Sequence, residues 1–379
     1  MLDKYKRYHL DRLASSTAVL ASSVWHNHAD LKNPHGLHWA AIGRYVLGLA
    51  DVRPRLGTFT NPWGAVSNSL FAAPPVRAVS DSLGDLLNQR ACELLLGTRR
   101  IAIMWSGGID STCVLASLIK NAKSLDQLIV YCSRASIEEN LYFYKNHIFN
   151  QIETRDTSTL DITDDFIKTH VLLHGDPADC LYGPSMPMYR NLLPDSQHLL
   201  PWRSHRNLII DGIVVNGATP EFARWYTDKI SDNIEQVSTY NINTIADWWW
   251  WHYFNLKWEF SILRPFYGSR SARRPTFSQE SLQSFANTTF YNTEYFQNWS
   301  YSNLDRLCRD PARHKIEAKQ YIFELDQNDF YLNNKRKTES LASNPLNWPV
   351  YLDQDLKPYY STDPGVKEAM IELLEQYKG

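Results

Sequence analysis

The chain has 379 residues, 44% of them hydrophobic and 21% charged, with a formal net charge of -2. That length accommodates two domains or one large α/β domain with an appendage, and the balance excludes a disordered chain and a basic field for sequence-independent nucleic-acid binding. No stretch approaches the roughly 20 apolar residues of a membrane helix, because the richest one, residues 193–215, is broken by Asp195, Arg203, Arg206 and Asp211. No membrane partner is expected. Met1-Leu2-Asp3-Lys4 leads into charged residues without the apolar core of a secretory signal, so a cytoplasmic location is expected. Cys92, Cys113, Cys132, Cys180 and Cys308 are widely spaced and form no C-x-x-C pair, which points to reduced, mostly buried thiols.

Residues 1–75 are rich in His and Trp and punctuated by Pro34, Pro54, Pro62 and Pro74-Pro75, and read as a small irregular N-terminal region. His26, His28, His35 and His38 within it lack companions at a metal-ligand spacing. From Val76 onward, Val79, Leu83, Leu86-Leu87, Ala91 and Leu94-Leu95-Leu96 recur at helical spacing and predict an amphipathic helix that stops near Gly97. Ile101-Ala102-Ile103-Met104-Trp105 is a continuous apolar run typical of a buried parallel strand. Ser106-Gly107-Gly108 ends it, and Asp110-Ser111-Thr112 opens a helix carried by Val114, Leu115, Leu118 and Ile119. Further strands are predicted at Leu128-Ile129-Val130-Tyr131-Cys132, Gln151-Ile152-Glu153-Thr154 and His170-Val171-Leu172-Leu173. Strands alternating with helices predict an α/β fold with a doubly wound parallel sheet at about 98–185. The remainder, about 207–379, reads as mainly helical, including a helix over 242–258 whose Trp248 to Trp251 run implies packing on most sides.

The chemistry concentrates at the end of the first strand. In Ser106-Gly107-Gly108-Ile109-Asp110-Ser111 the glycines let backbone N–H groups approach an anion, and the following helix turns its positive end toward the same point. The Ser106 and Ser111 hydroxyls add donors, and Asp110 can hold magnesium on the phosphates. A Walker A lysine is missing. A second turn, His174-Gly175-Asp176-Pro177-Ala178-Asp179, follows a later strand and can face the same phosphates, because ligands of such sheets bind outside the carboxyl ends of the strands. Cys113 and Cys180 flank these turns but read as core residues.

The hexapeptide resembles the S-G-G-x-D-S pyrophosphate loop of the ATP pyrophosphatase superfamily. The second turn is similar to the G-E-G-x-D-E-L-F-G region of asparagine synthetases, with Asp176 where that family has glutamate and Asp179 where it has its pyrophosphate-site aspartate. Leu263-Arg264-Pro265-Phe266 resembles the family's R-x-P-F-L-D segment without its aspartate, and Lys335-Arg336-Lys337 its later R-x-K element. The resemblance covers about 76–340 and implies an adenine nucleotide alpha hydrolase-like fold. It also implies an ATP-dependent ligase that adenylates an aspartate-like carboxylate, releases pyrophosphate, and passes the acyl group to ammonia or another amine. Implied site residues are Met104, Ser106, Gly107, Gly108, Ser111, Asp176 and Lys337 for ATP, and Asp110 and Asp179 for Mg2+. A lysine on the phosphates and intermediate completes the set, with Lys319 preferred and Lys315 its competitor. Position 2 is Leu2 rather than the catalytic cysteine of glutamine-dependent synthetases, so the glutaminase half is expected to be missing and the amine to come from solution or a separate glutaminase.

The alternatives are a relative with an intramolecular amine, of β-lactam synthetase or peptide macrolactam cyclase type, and an enzyme that adenylates an RNA base. A nucleotide-binding protein without turnover is a third. The thiolating RNA enzymes use a cysteine pair or zinc cluster not found in this sequence, and the near-neutral charge makes nucleic acid an unexpected partner. The basic stretch Arg270 to Arg274 reads as a solvated loop.

Overall fold

The helix that leads into the sheet begins where its cap is built, not where the apolar spacing begins. In the computed structural model, which describes residues 53–60, 69, 71–182, 195–215, 220–267, 278–304, 315–335, 351–352 and 358–359, helix α1 spans Leu83–Leu95. The Ser82 hydroxyl accepts from the Asp85 N–H and the Asp85 carboxylate accepts from the Ser82 N–H, both at 3.2 Å, a reciprocal cap that starts the helix there. Upstream, the backbone N–H groups of Arg77 and Val79 are taken by the side chains of Asn298 and Ser302, which holds that stretch out of the helix.

Four parallel strands follow: β1 (Arg100–Met104), β2 (Leu128–Cys132), β3 (Glu153–Asp156) and β4 (His170–Leu173). Their order is β3-β2-β1-β4, with Ile101 of β1 paired to Leu128 on one side and to Val171 on the other. β1 and β2 are central and apolar, and every residue of β2 is buried. β3 is exposed along its whole length and lies two residues beyond its expected place. It forms an edge of the sheet, where charged side chains such as Glu153 and Arg155 guard against pairing with another chain, so it carries no apolar run to mark its bounds. From β1 the chain builds outward to β3 and then returns to the opposite side of β1 for β4. The strand order thus reverses at β1, and the carboxyl ends of β1 and β4 flank the position where open parallel sheets bind ligands.

Helix α2 (Ile109–Asn121) joins β1 to β2, α3 (Arg134–Glu139) follows β2, α4 (Asp164–Thr169) precedes β4 and α5 (Ala178–Leu181) follows it. The second half is helical: α6 (Arg206–Val215), α7 (Pro220–Glu235), α8 (Ile245–Trp251), α9 (Trp258–Tyr267), α10 (Gln279–Thr288), α11 (Glu294–Ser302), α12 (Ile316–Asp326) and α13 (Asp329–Asn334). Where one helix over 242–258 is expected, two form. The Thr244 and Asp247 cap starts α8 at Ile245. A π-helical turn at His252–Leu256, closed by the Lys257 N–H on the His252 carbonyl at 3.1 Å, separates it from α9. No helix among the described residues is long and apolar enough to cross a membrane.

The described part of the N-terminal region is stitched onto this helical half. Buried Arg55 donates to the carbonyls of Phe71, Ala72 and Phe254 and to Gln297, and its guanidinium lies 4.3 Å from the Trp258 ring. Burial pushes its pKa down to about 9. His26 to His38, Arg270 to Arg274 and Cys308 lie outside the described residues. Cys92 is exposed, and Cys113, Cys132 and Cys180 are free and buried.

Trp248, Trp249, Trp250 and Trp251 are all buried, as packing on every face of a helical turn requires. The indole N–H of Trp248 donates to Ser231, that of Trp250 to Ser300 and that of Trp251 to Asn233, tying α8 to α7 and α11. Trp250→Ala is expected to lower the unfolding free energy by about 3–5 kcal/mol, measured by urea denaturation.

Candidate active site

Met104 ends β1 half-buried and paired with Tyr131, and the next residue, Trp105, ties the strand to the helix that follows. Its backbone N–H reaches the Tyr131 carbonyl at 2.9 Å, and its indole donates to the Thr112 hydroxyl in the first turn of α2 at 3.0 Å. Between them the Ser106 to Ser111 turn closes on itself. The Ser106 N–H donates to the Ser111 hydroxyl at 3.1 Å, and the two hydroxyls lie 2.9 Å apart. Gly108 is the N-cap of α2 and supplies no side-chain cap, so the positive end of the 13-residue helix faces the turn.

Two glycines set how closely the neighbouring segments approach. Gly107 has φ +73°, and a Cβ there would lie 2.3 Å from the Ser136 carbonyl oxygen and 2.8 Å from Glu139 Cβ. A Cβ on Gly175 would lie 2.7 Å from the Ser111 nitrogen and 2.9 Å from Asp110 Cβ. The second turn is therefore packed directly on the first, an adjacency that follows from β1 pairing with β4.

The two predicted aspartates converge on one ammonium. Lys315 Nζ lies 2.7 and 2.6 Å from the Asp110 carboxylate oxygens and 2.5 Å from Asp179 Oδ1. The Lys315 side chain is only 7% exposed, against 21% and 25% for the aspartates, so water screens the group weakly. Tyr182 lines it with its ring 5.6 Å from the ammonium, and the Tyr291 hydroxyl donates to the Asp110 carbonyl at 3.3 Å. The lysine between the two aspartates is Lys315, the competitor of Lys319 for the phosphate role. Lys315 is the N-cap of α12 in the left-handed region, φ 55° and ψ 23°. Lys319 is one turn inside the helix, its N–H on the Lys315 carbonyl. Both lysines fall in one helical pattern, and only the helix start separates them.

Burial pushes the Asp110 carboxyl up, to about 6; the Lys315 ammonium pulls against this, while Asp179 and Asp176 add to it. Burial opposes charge on Lys315, yet Asp110 and Asp179 outweigh it and its pKa is raised. Asp176 sits in the same turn, its N–H on His174 Nδ1 at 3.2 Å. Burial pushes the Cys180 thiol up to about 12 and the Cys113 thiol further still, which removes both as nucleophiles near neutral pH.

Two residues here, Lys257 and Glu139, carry no signal in the sequence. Lys257 follows the π turn with its ammonium 4.4 Å from the Tyr253 ring. Burial alone would lower its pKa, but Tyr253, Cys180, Asp179 and Asp176 raise it on balance. Glu139, against Gly107, forms a buried ion pair with Lys335. Lys335 is the described member of the run that includes Lys337; Lys337 lies outside the described residues. No protein-family model, curated protein or solved structure matches the chain.

Among the described residues no group of three or more His, Cys, Asp or Glu side chains is placed to hold a metal ion. The pair of aspartates nonetheless fits magnesium, which binds through one or two carboxylates plus substrate phosphates, and the Lys315 ammonium already stands in for a cation between them.

Gly175→Ala is expected to force the two turns apart and to lower the unfolding free energy by about 1–3 kcal/mol, measured by urea denaturation. Asp110 gives a pH signature. A folded pKa raised from 3.8 to about 6 stabilises the fold fully below the unfolded value and loses that contribution as the pH rises through about 6. In urea unfolding, the margin of wild type over Asp110→Asn is expected to narrow between about pH 4 and about pH 7.

Proposed function

We propose that the protein is an ATP-dependent amide-forming ligase of asparagine-synthetase type, built on a doubly wound nucleotide-binding sheet. The observation that carries the reading is the convergence of Asp110 and Asp179, from two turns at the carboxyl ends of adjacent strands, beside a helix N-terminus that lacks a side-chain cap. That combination suits a polyphosphate: backbone N–H groups and a helix end for its oxygens, carboxylates for its counter-ion and a lysine for charge that develops on departure.

In this reading the turn from Ser106 to Ser111 holds the pyrophosphate end of ATP. Asp110 and Asp179 would hold magnesium, which when bound neutralises phosphate charge. A substrate carboxylate oxygen displaces pyrophosphate from the α-phosphorus, and an amine then displaces AMP to leave the amide. The chain's own contribution is positioning and charge stabilisation, with no covalent nucleophile. Lys315 takes the role of the lysine that meets the departing pyrophosphate. Lys257, from the helical half, is placed to add positive charge on the side of Asp176 and Asp179. Its neighbour Tyr253 belongs to the same wall, which is where selectivity for the carboxylate would reside.

The test is pyrophosphate release from ATP and magnesium with candidate carboxylates, aspartate first, each with and without ammonia. Asp110→Asn and Asp179→Asn are each expected to lower the rate by at least about 10²-fold, and Lys315→Ala by a similar factor, with Lys319→Ala near wild type. ADP and orthophosphate as products would exclude adenylation.

A further inference from the structure

The site carries its own cation. The Lys315 ammonium touches three carboxylate oxygens, two from Asp110 and one from Asp179, and its side chain is nearly removed from water. The residue adopts a left-handed backbone that a side chain other than glycine rarely takes, at the junction where α12 begins. Tyr182 lies against the ammonium, and Asp176 and Asp179 sit on the facing turn.

A divalent ion bridging Asp110 and Asp179 would draw on the carboxylates that the Lys315 ammonium already holds, so the two cations compete for one place. With the ammonium in place the aspartate pair carries a net charge of about -1 instead of -2, and magnesium gives up its water shell reluctantly. The free ion therefore gains little by entering. A polyphosphate reverses the balance in two ways. It brings its own oxygens to the ion, and it offers new anionic partners to an ammonium on a flexible four-carbon stem.

We propose that Lys315 acts as an internal counter-ion that makes metal binding conditional on the nucleotide: the site refuses the free divalent ion and admits it only with a polyphosphate that draws the ammonium away. The proposal rests on the reading of this crevice as an ATP site, and concerns which form of the metal the site accepts.

The test uses the full chain and Mn2+ as probe, with binding followed by loss of the free-ion electron paramagnetic resonance signal. Wild type with Mn2+ alone is expected to bind weakly, and Lys315→Met with Mn2+ alone at least about tenfold more tightly. Adding Asp179→Asn to Lys315→Met is expected to abolish the gain. Lys315→Gln, which keeps a donor for one carboxylate, is the second variant should Lys315→Met not fold, and the same gain is expected of it. A variant that folds only when Mn2+ is supplied also supports the proposal. Wild type that binds free Mn2+ as tightly as it binds Mn2+ with a non-hydrolysable ATP analogue overturns it whichever variant folds. So does a folded variant that gains no affinity for free Mn2+. Wild type that fails to bind the manganese–analogue complex overturns the ATP reading itself, a separate outcome.

Discussion

A single buried ammonium joins the three segments from which the crevice is made. Lys315 begins α12, Asp110 lies in the first turn of α2, and Asp179 lies in α5, so the contacts between them bind the C-terminal helices to the turns that follow β1 and β4. Burying such a group is costly, and removing one partner is costlier, typically about 3–5 kcal/mol, because it strands the remaining charge. The node is therefore an anchor for register and placement more than a source of net stability. Asp110, held up to about 6 despite its ammonium neighbour, reflects that cost.

The rest of the molecule is arranged to keep this node in place. Helix α12 is tied to α1 by the Tyr321 hydroxyl on Asn88 at 2.6 Å and to α2 by the Lys120 and Glu324 pair. Beneath the glycine turn, Glu139 at the end of α3 meets Lys335 just past α13, so the turn is backed by an ion pair that water scarcely reaches. On the other side, the Ser300 hydroxyl of α11 is shared between the Trp250 indole and the Leu181 carbonyl of α5. The tryptophan run thus braces the turn that carries Asp179. The heavy aromatic content goes largely into this wall, where large rings bury area and their N–H and O–H groups find partners.

Legibility in the sequence followed the physics of each element. β1, β2 and β4 were readable because a strand buried on both faces must be a short apolar run, and their observed bounds agree with that pattern to within one residue. β3 was displaced by two residues because an edge strand is defined by its partner's hydrogen bonds and not by its own side chains. The start of α1 was misplaced for a related reason. Apolar spacing continues upstream of Ser82, but backbone donors there are claimed by side chains of α11, far away in the sequence.

The same division holds at the crevice. The glycine turn and both aspartates are local features: a strand end, a pair of residues without Cβ hindrance and a carboxylate at a helix start can be recognised one segment at a time. By itself the sequence determined that two such turns exist and that they follow strands of one sheet. The folded structure decided that the strands are neighbours, which packs Gly175 onto Ser111. It also decided that Lys315, and not Lys319, reaches both carboxylates, and that Lys257 and the Glu139 and Lys335 pair stand close by. Those outcomes depend on where a helix begins and which side chains meet across more than a hundred residues of chain, and local pattern carries no record of either.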